Sequence, residues 1–166
     1  GERHDAIWYR MGDKTYPLSH NRIRHIYEDK EQQLWIATDG SINRYDYATR
    51  QFIHYNIVDN TGTYNTNWTY YIFEDTAGQL WISTCLGGIF VVDKRKLMQS
   101  TSGQYIAEQN SSVHNGLSGM FINQIIPDNE GNVWVLLYNN KGIDKINPRT
   151  REVTKLFADE LTGEKS

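Results

Sequence analysis

An aspartate followed six residues later by a tryptophan occurs three times in this chain: Asp29 and Trp35, Asp75 and Trp81, Asp128 and Trp134. The three copies begin 46 and then 53 residues apart. A motif recurring at that interval belongs to repeat architectures, where each unit buries its apolar faces against its neighbours. Every tryptophan also lies in a short apolar run: Leu34-Trp35-Ile36-Ala37-Thr38, Leu80-Trp81-Ile82-Ser83-Thr84 and Val133-Trp134-Val135-Leu136-Leu137. Nearly unbroken runs of this kind read as strands covered on both faces, so all three indoles are expected in the core between adjacent sheets.

Around each motif the same order of short strands repeats. In the first unit a strand around Ile23 to Tyr27 ends at Glu28-Asp29, the apolar run follows, Ser41 to Asp46 makes a third strand, and Gln51 to Tyr55 a fourth. The second unit gives Trp68 to Asp75, Leu80 to Thr84, Gly88 to Asp93 and Gln104 to Ala107; the third gives Phe121 to Pro127, Val133 to Leu137, Gly142 to Asn147 and Glu152 to Phe157. Four short antiparallel strands joined by tight turns make a meander. The aspartate closes the first strand, where its carboxylate can bond the amides of the following turn. Gly78 and Gly131 can take positive φ in that turn, whereas the first unit has Gln32 and is expected to build the turn differently.

Bare meanders cannot bury their faces alone, and radial stacking of four-stranded sheets is a β-propeller. The expected fold is therefore all-β: about three four-stranded antiparallel blades at residues 21–58, 65–110 and 115–158. The end of a preceding blade is expected at 1–20 and a frayed polar tail at 159–166. Trp8-Tyr9-Arg10 and Thr15-Tyr16 would be the last two strands of that preceding blade. Three blades do not close a usual ring, so the partners expected are further blades of the same protein, or other copies in a homodimer that cover the open flanks.

Composition narrows the function. A net charge of −3 gives no electrostatic reason for nucleic-acid binding, and no run of eighteen apolar residues exists to cross a membrane. Cys85 is the single cysteine, which excludes an internal disulfide. The chain starts Gly-Glu-Arg-His without Met or a signal-like segment, and reads as a mature product or an excised segment.

The stretch Glu74-Asp75-Thr76-Ala77-Gly78-Gln79-Leu80-Trp81-Ile82-Ser83-Thr84, followed by Gly87-Gly88-Ile89-Phe90, resembles the two-component regulator propeller repeat. Arg44-Tyr45-Asp46 matches the strand end of that repeat in the first unit, and Val91-Val92-Asp93 and Lys145-Ile146-Asn147 match it less well. The resemblance covers about Asn21 to Leu156. It implies the periplasmic sensor region of a hybrid two-component regulator, which binds an oligosaccharide or other small ligand and signals to a histidine kinase, with no catalysis in this segment. A second resemblance runs through Asn132-Val133-Trp134-Val135 and Gly142 to Pro148, to the propellers of streptogramin lyases, which would imply a metal-using enzyme. The Leu-Trp-Ile-x-Thr runs of the first two units fit the sensor repeat better. A non-catalytic interaction scaffold is the third alternative.

The residues themselves offer little catalytic chemistry. Glu28-Asp29 and Glu74-Asp75 look like acid–base pairs, but they recur at a turn, and a catalytic pair is needed once per site. His4, His20, His25, His54 and His114 show no close ligand spacing, so neither a metal nor another cofactor is expected. His25 is the one histidine placed to border a central channel. Binding residues are expected on the rim where second-to-third and fourth-to-first connections gather. That rim holds Asp39, Tyr64, Asn67, Trp68, His114, Tyr138, Asn139 and Asn140 as candidate ligand contacts, with Asn65, Cys85, Leu86, Asn115 and Lys141 beside them. Aromatic faces with amides and carboxylates are the side chains that bind sugars.

Overall fold

The computed structural model of the chain describes residues 6–12, 17–100, 104–110 and 116–156. A two-residue parallel ladder joins β1 (Arg10–Met11) to β2 (Pro17–Leu18). The return strand expected at Thr15-Tyr16 lies outside the described residues, and the ladder that is described runs parallel where a meander needs an antiparallel pair. The first sheet follows as β3 (Ile23–Glu28), β4 (Leu34–Thr38), β5 (Ser41–Asp46) and β6 (Gln51–Tyr55), paired antiparallel in chain order. The second sheet has five strands, β7 (Ile57–Asp59), β8 (Thr69–Glu74), β9 (Gln79–Thr84), β10 (Ile89–Asp93) and, beyond helix α1 (Lys94–Gln99), β11 (Tyr105–Asn110), in the order β7-β11-β10-β9-β8. The third sheet is β12 (Ile122–Pro127), β13 (Val133–Leu137), β14 (Ile143–Ile146) and β15 (Val153–Leu156).

These are three propeller blades, and one side chain builds the same turn in each. Asp29 Oδ1 accepts the amides of Glu31 and Gln33, both at 2.9 Å, while Oδ2 accepts the Trp35 indole N–H at 2.9 Å. Asp75 does the same for Ala77, Gln79 and Trp81, and Asp128 for Glu130, Asn132 and Trp134. The backbone closes the turn identically, with Gln32, Gly78 and Gly131 donating to the carbonyls of Asp29, Asp75 and Asp128. These three residues have φ of 62°, 77° and 84°. Gln32 thus does not build its turn differently: the carboxylate and ladder fix the path, and glutamine accepts the left-handed backbone at a cost of about 1–2 kcal/mol.

Alternation decides which seam each side chain fills. Trp35, Ala37, Ile42 and Tyr55 of the first sheet pack with Ile72, Leu80, Ile82, Phe90 and Val92 of the second. The other face of the second sheet, carrying Phe73, Trp81, Ile89 and Val91, packs with Ile122, Ile125, Val133, Val135 and Ile146 of the third. Trp35 and Trp81 are completely buried. Trp134 departs from the expectation and is only half-buried: its face of the third sheet, shared with exposed Ile126 and Leu136, carries no further sheet among the described residues.

Polar groups cross the first seam. His25 Nδ1 accepts the Ile72 N–H at 3.1 Å and the Tyr27 hydroxyl accepts the Glu74 N–H at 3.0 Å, so the innermost edge strand β8 is capped by side chains. At the second seam the residues equivalent to Tyr27 and Glu74 are Phe73, which has no hydroxyl, and Pro127, which has no N–H to satisfy. Lys94, at the start of α1, is buried with its ammonium 3.2 Å from Asp29 and 3.1 Å from Glu74. Burial alone would lower its pKa, but the bonds to Glu74 and Asp29 outweigh that and raise it.

Two elements have no counterpart in the sequence reading. Helix α1 is capped by the Asp93 carboxylate, which accepts the Lys96 amide at 3.0 Å. Strand β7 pairs in parallel with residues 105–107 of β11, whose remaining half pairs with β10.

A pair of substitutions tests the turn. Nothing lies within 4 Å of a Cβ added at Gly131, so Gly131→Ala should cost about 1–2 kcal/mol through backbone strain alone. Gln32→Gly should leave stability unchanged or raise it by up to about 1 kcal/mol, since relief of strain is offset by glycine's extra unfolded freedom. Denaturant unfolding measures both, and a neutral Gly131→Ala would contradict the shared turn geometry.

Candidate functional site

One end of the three sheets gathers two sets of equivalent positions. Asp39, Cys85 and Tyr138 each follow the second strand of their sheet, and their amides donate to the carbonyls of Arg22, Trp68 and Phe121 at 3.2, 3.0 and 3.0 Å. Opposite them the innermost strands break register at Ile23/His25, Thr69/Tyr71 and Ile122/Gln124. The extra residue at each break is Arg24, Tyr70 or Asn123, and such bulges re-aim side chains.

The first two bulge residues join a row that crosses both seams. Arg24 Nε donates to Asp39 Oδ1 at 2.8 Å, and its guanidinium lies 4.6 Å over the Tyr70 ring of the next sheet. Tyr70 in turn meets Tyr138 of the third sheet edge to face, with centroids 6.4 Å apart. The neighbouring Cys85, with burial, pushes the Tyr70 pKa up to about 12. The bond that Arg24 donates to Asp39 likewise holds the Arg24 pKa above its ordinary value.

Beside this row lies a cleft of about 360 Å³ lined by Asp39, Thr63, Tyr64, Asn65, Asn67, Trp68, Leu86 and Gly87. Its floor is tied together across the first seam. The Trp68 amide donates to the Asp39 carbonyl at 3.0 Å, and the Trp68 carbonyl accepts from Cys85. Trp68 has φ 55°, an uncommon conformation for so bulky a residue, and is 45% exposed. Asp59 shapes the loop beneath, accepting the Tyr64 amide and the Thr61 hydroxyl, and its pKa is lowered because these bonds outweigh burial. Asn65 Oδ1 accepts the Asn67 amide at 2.9 Å.

Four expected contacts, Asp39, Tyr64, Asn67 and Trp68, therefore share one cleft. The Asp39 side chain is only 7% exposed and is engaged by Arg24, with Arg22 at 3.6 Å, while Tyr64 also packs against the first core cluster. Tyr138 joins through the row, and Asn139 and Asn140, both at positive φ and exposed, follow it without lining the cleft. His114 lies outside the described residues. Arg24 and Tyr70 were not legible as site residues, because a bulge adds one residue to a strand and changes no composition. Among the described residues no group of three or more His, Cys, Asp or Glu could hold a metal ion, and no helix is long and apolar enough to cross a membrane.

Comparison with known proteins agrees with the repeat. The family model of the two-component regulator propeller matches residues 17–40 and 116–139. Among solved structures the chain is similar to the extracellular domain of BT4673 from B. thetaiotaomicron, described in one structure as a one-component system and in another as a hybrid two-component system. In both the TM-score is 0.91 and the identity 99%, over 100% of this chain and 22% of the other, so the chain spans less than a quarter of that relative's length. The extracellular domain of the hybrid two-component system BT3049 from B. thetaiotaomicron superposes with a TM-score of 0.65 at 24% identity, over 90% of this chain and 18% of that one. Virginiamycin B lyase from Staphylococcus aureus gives 0.57 at 15% identity, over 84% and 43%. These last two likenesses are of fold alone. A search of curated proteins finds no match.

His25, bonded across the first seam to Ile72, gives a pH prediction. Burial lowers its pKa below the ordinary 6.5, so the unfolded chain takes up the proton first as pH falls. Stability is therefore full above about pH 6.5 and is lost as pH drops below it toward the lowered folded value. Between about pH 7.5 and 5.5 the unfolding midpoint should fall more for the parent chain than for His25→Phe, which cannot titrate. Equal losses in the two would show that His25 is not the group responsible.

Proposed function

We propose that this chain is a ligand-sensing part of the propeller in the extracellular, periplasmic region of a hybrid two-component regulator. Its ligand is an oligosaccharide, and its output is a shift in the arrangement of blades that biases a histidine kinase elsewhere in the protein. The segment acts by binding and not by catalysis. Further blades of the same protein, or a second copy, cover its open flanks.

The observation that carries the reading is Trp68. An exposed tryptophan tied across the seam by its amide, in a conformation unfavourable to a bulky residue, is a strained, preset feature, and such strain concentrates at functional sites. Around it the cleft offers the Tyr64 and Thr63 hydroxyls and the Asn65 and Asn67 amides, the mixture of ring face and neutral hydrogen-bonding groups that suits a pyranose. Repeat family and similarity to extracellular domains of two-component systems support the sensory part of the reading. Because the cleft joins two sheets, a ligand in it has different affinities for their different arrangements, which is all that signalling requires.

Calorimetric titration of the intact extracellular region with a panel of glycans tests this. At least one oligosaccharide should bind, and Trp68→Ala should weaken it by about tenfold or more with the fold retained by circular dichroism. Binding that is indifferent to Trp68 would move the site elsewhere.

A further inference from the structure

The cleft at Trp68 is not the only exposed ring on this rim. Tyr138 is 38% exposed, and it stands at the far end of the row that begins at Asp39, a residue that also lines the cleft. The row has a division of labour. Asp39, its side chain 7% exposed, spends its carboxylate on Arg24. Tyr70 is covered by that guanidinium and buttresses Tyr138 edge-on. What remains open is the ring of Tyr138 and the outer side of the Arg24 guanidinium, whose side chain is 29% exposed and keeps N–H donors that Asp39 does not use.

The backbone is unusual at both places. Trp68 has φ 55°, and Asn139 and Asn140, directly after Tyr138, have φ 61° and 56°. Arg24 of the first sheet, Tyr70 of the second and Tyr138 of the third touch in sequence, so the row spans all three sheets.

We infer that Arg24 and Tyr138 form a second subsite, positioned by Tyr70, which takes a further sugar residue of a ligand whose first residue stacks on Trp68. This rests on the saccharide reading above and adds to it a minimum length and an engagement of the third sheet. Tyr138 supplies a stacking face and Arg24 donates to ring hydroxyls; Tyr70 is a positioning residue that need not touch the ligand.

The test is titration of the intact extracellular region with ladders of galacto-, gluco-, manno- and xylo-oligosaccharides, each of one to six residues. In the series that binds, affinity should rise by about tenfold or more with chain length and then level off once both subsites are filled. Tyr138→Ala and Arg24→Gln should each cost the longer sugars about tenfold while changing the shortest binding sugar by less than about twofold, whereas Trp68→Ala should lose both. Tyr70→Phe, which keeps the buttress, should behave like the parent. If the sugars bind and depend on Trp68 but neither Tyr138→Ala nor Arg24→Gln affects any length, the second subsite is overturned and the saccharide reading stands. If no ladder binds at any length, the saccharide reading fails and the subsite falls with it.

Discussion

A single carboxylate, used three times, organises this chain. Each of Asp29, Asp75 and Asp128 spends one oxygen on two amides of its own turn and the other on the indole N–H six residues ahead. The turn reverses the strand, and the indole is thereby fixed on the face that meets the next sheet. For Trp35 and Trp81 that fixes a large apolar group in a closed seam without leaving its N–H unpaired, which would cost about 1–3 kcal/mol. Burial pushes the Asp29 pKa up, but the bonds from Trp35, Gln33 and Lys94 outweigh it and the net shift is down. At Asp128 the indole bond is the leading cause of a downward shift.

The two seams are held by different physics. The first is laced by His25, Tyr27 and Lys94, so its closure depends on hydrogen bonds and on buried charge. The second is mainly apolar, with Arg151 over the Trp81 ring at 4.8 Å and bonded to Gln79 as its polar clasp. A buried ammonium between two carboxylates is geometrically exacting and tolerates little sliding. The cleft at Trp68 opens on this polar seam, which is where a ligand bridging two sheets acts on discrete contacts and not on a deformable apolar face.

Much of the fold was legible because the repeat carries its own alignment. The Asp-to-Trp interval and the Ile42, Ile89 and Ile143 strands place three meanders in register, and the observed sheets follow them. What was not legible depended on neighbours or on backbone detail. Trp134 has the same sequence signature as Trp81, yet its burial is a property of whatever lies on its outer face. Gln32 gave no sign of positive φ because the turn is imposed by Asp29 and the ladder. Helix α1 and strand β7 are short local choices in connections, where periodicity has nothing to count. On the rim, Trp68 and Tyr138 stood out by residue type, while Arg24 and Tyr70 became visible only through the bulges that turn them toward each other.

The fold depends on the carboxylate and the indole acting as one unit, and a double-mutant cycle on Asp75 and Trp81 measures that directly. Asp75→Asn replaces the acceptor with a donor facing the indole N–H, and Trp81→Phe removes that N–H while keeping a ring. Denaturant unfolding of the parent, both single variants and the double variant should give a coupling of about 1 kcal/mol or more, with Asp75→Asn much less costly once Trp81 is phenylalanine. Additive losses would mean that the turn and the seam are stabilised independently, and that the sixfold spacing is not what holds the sheets together.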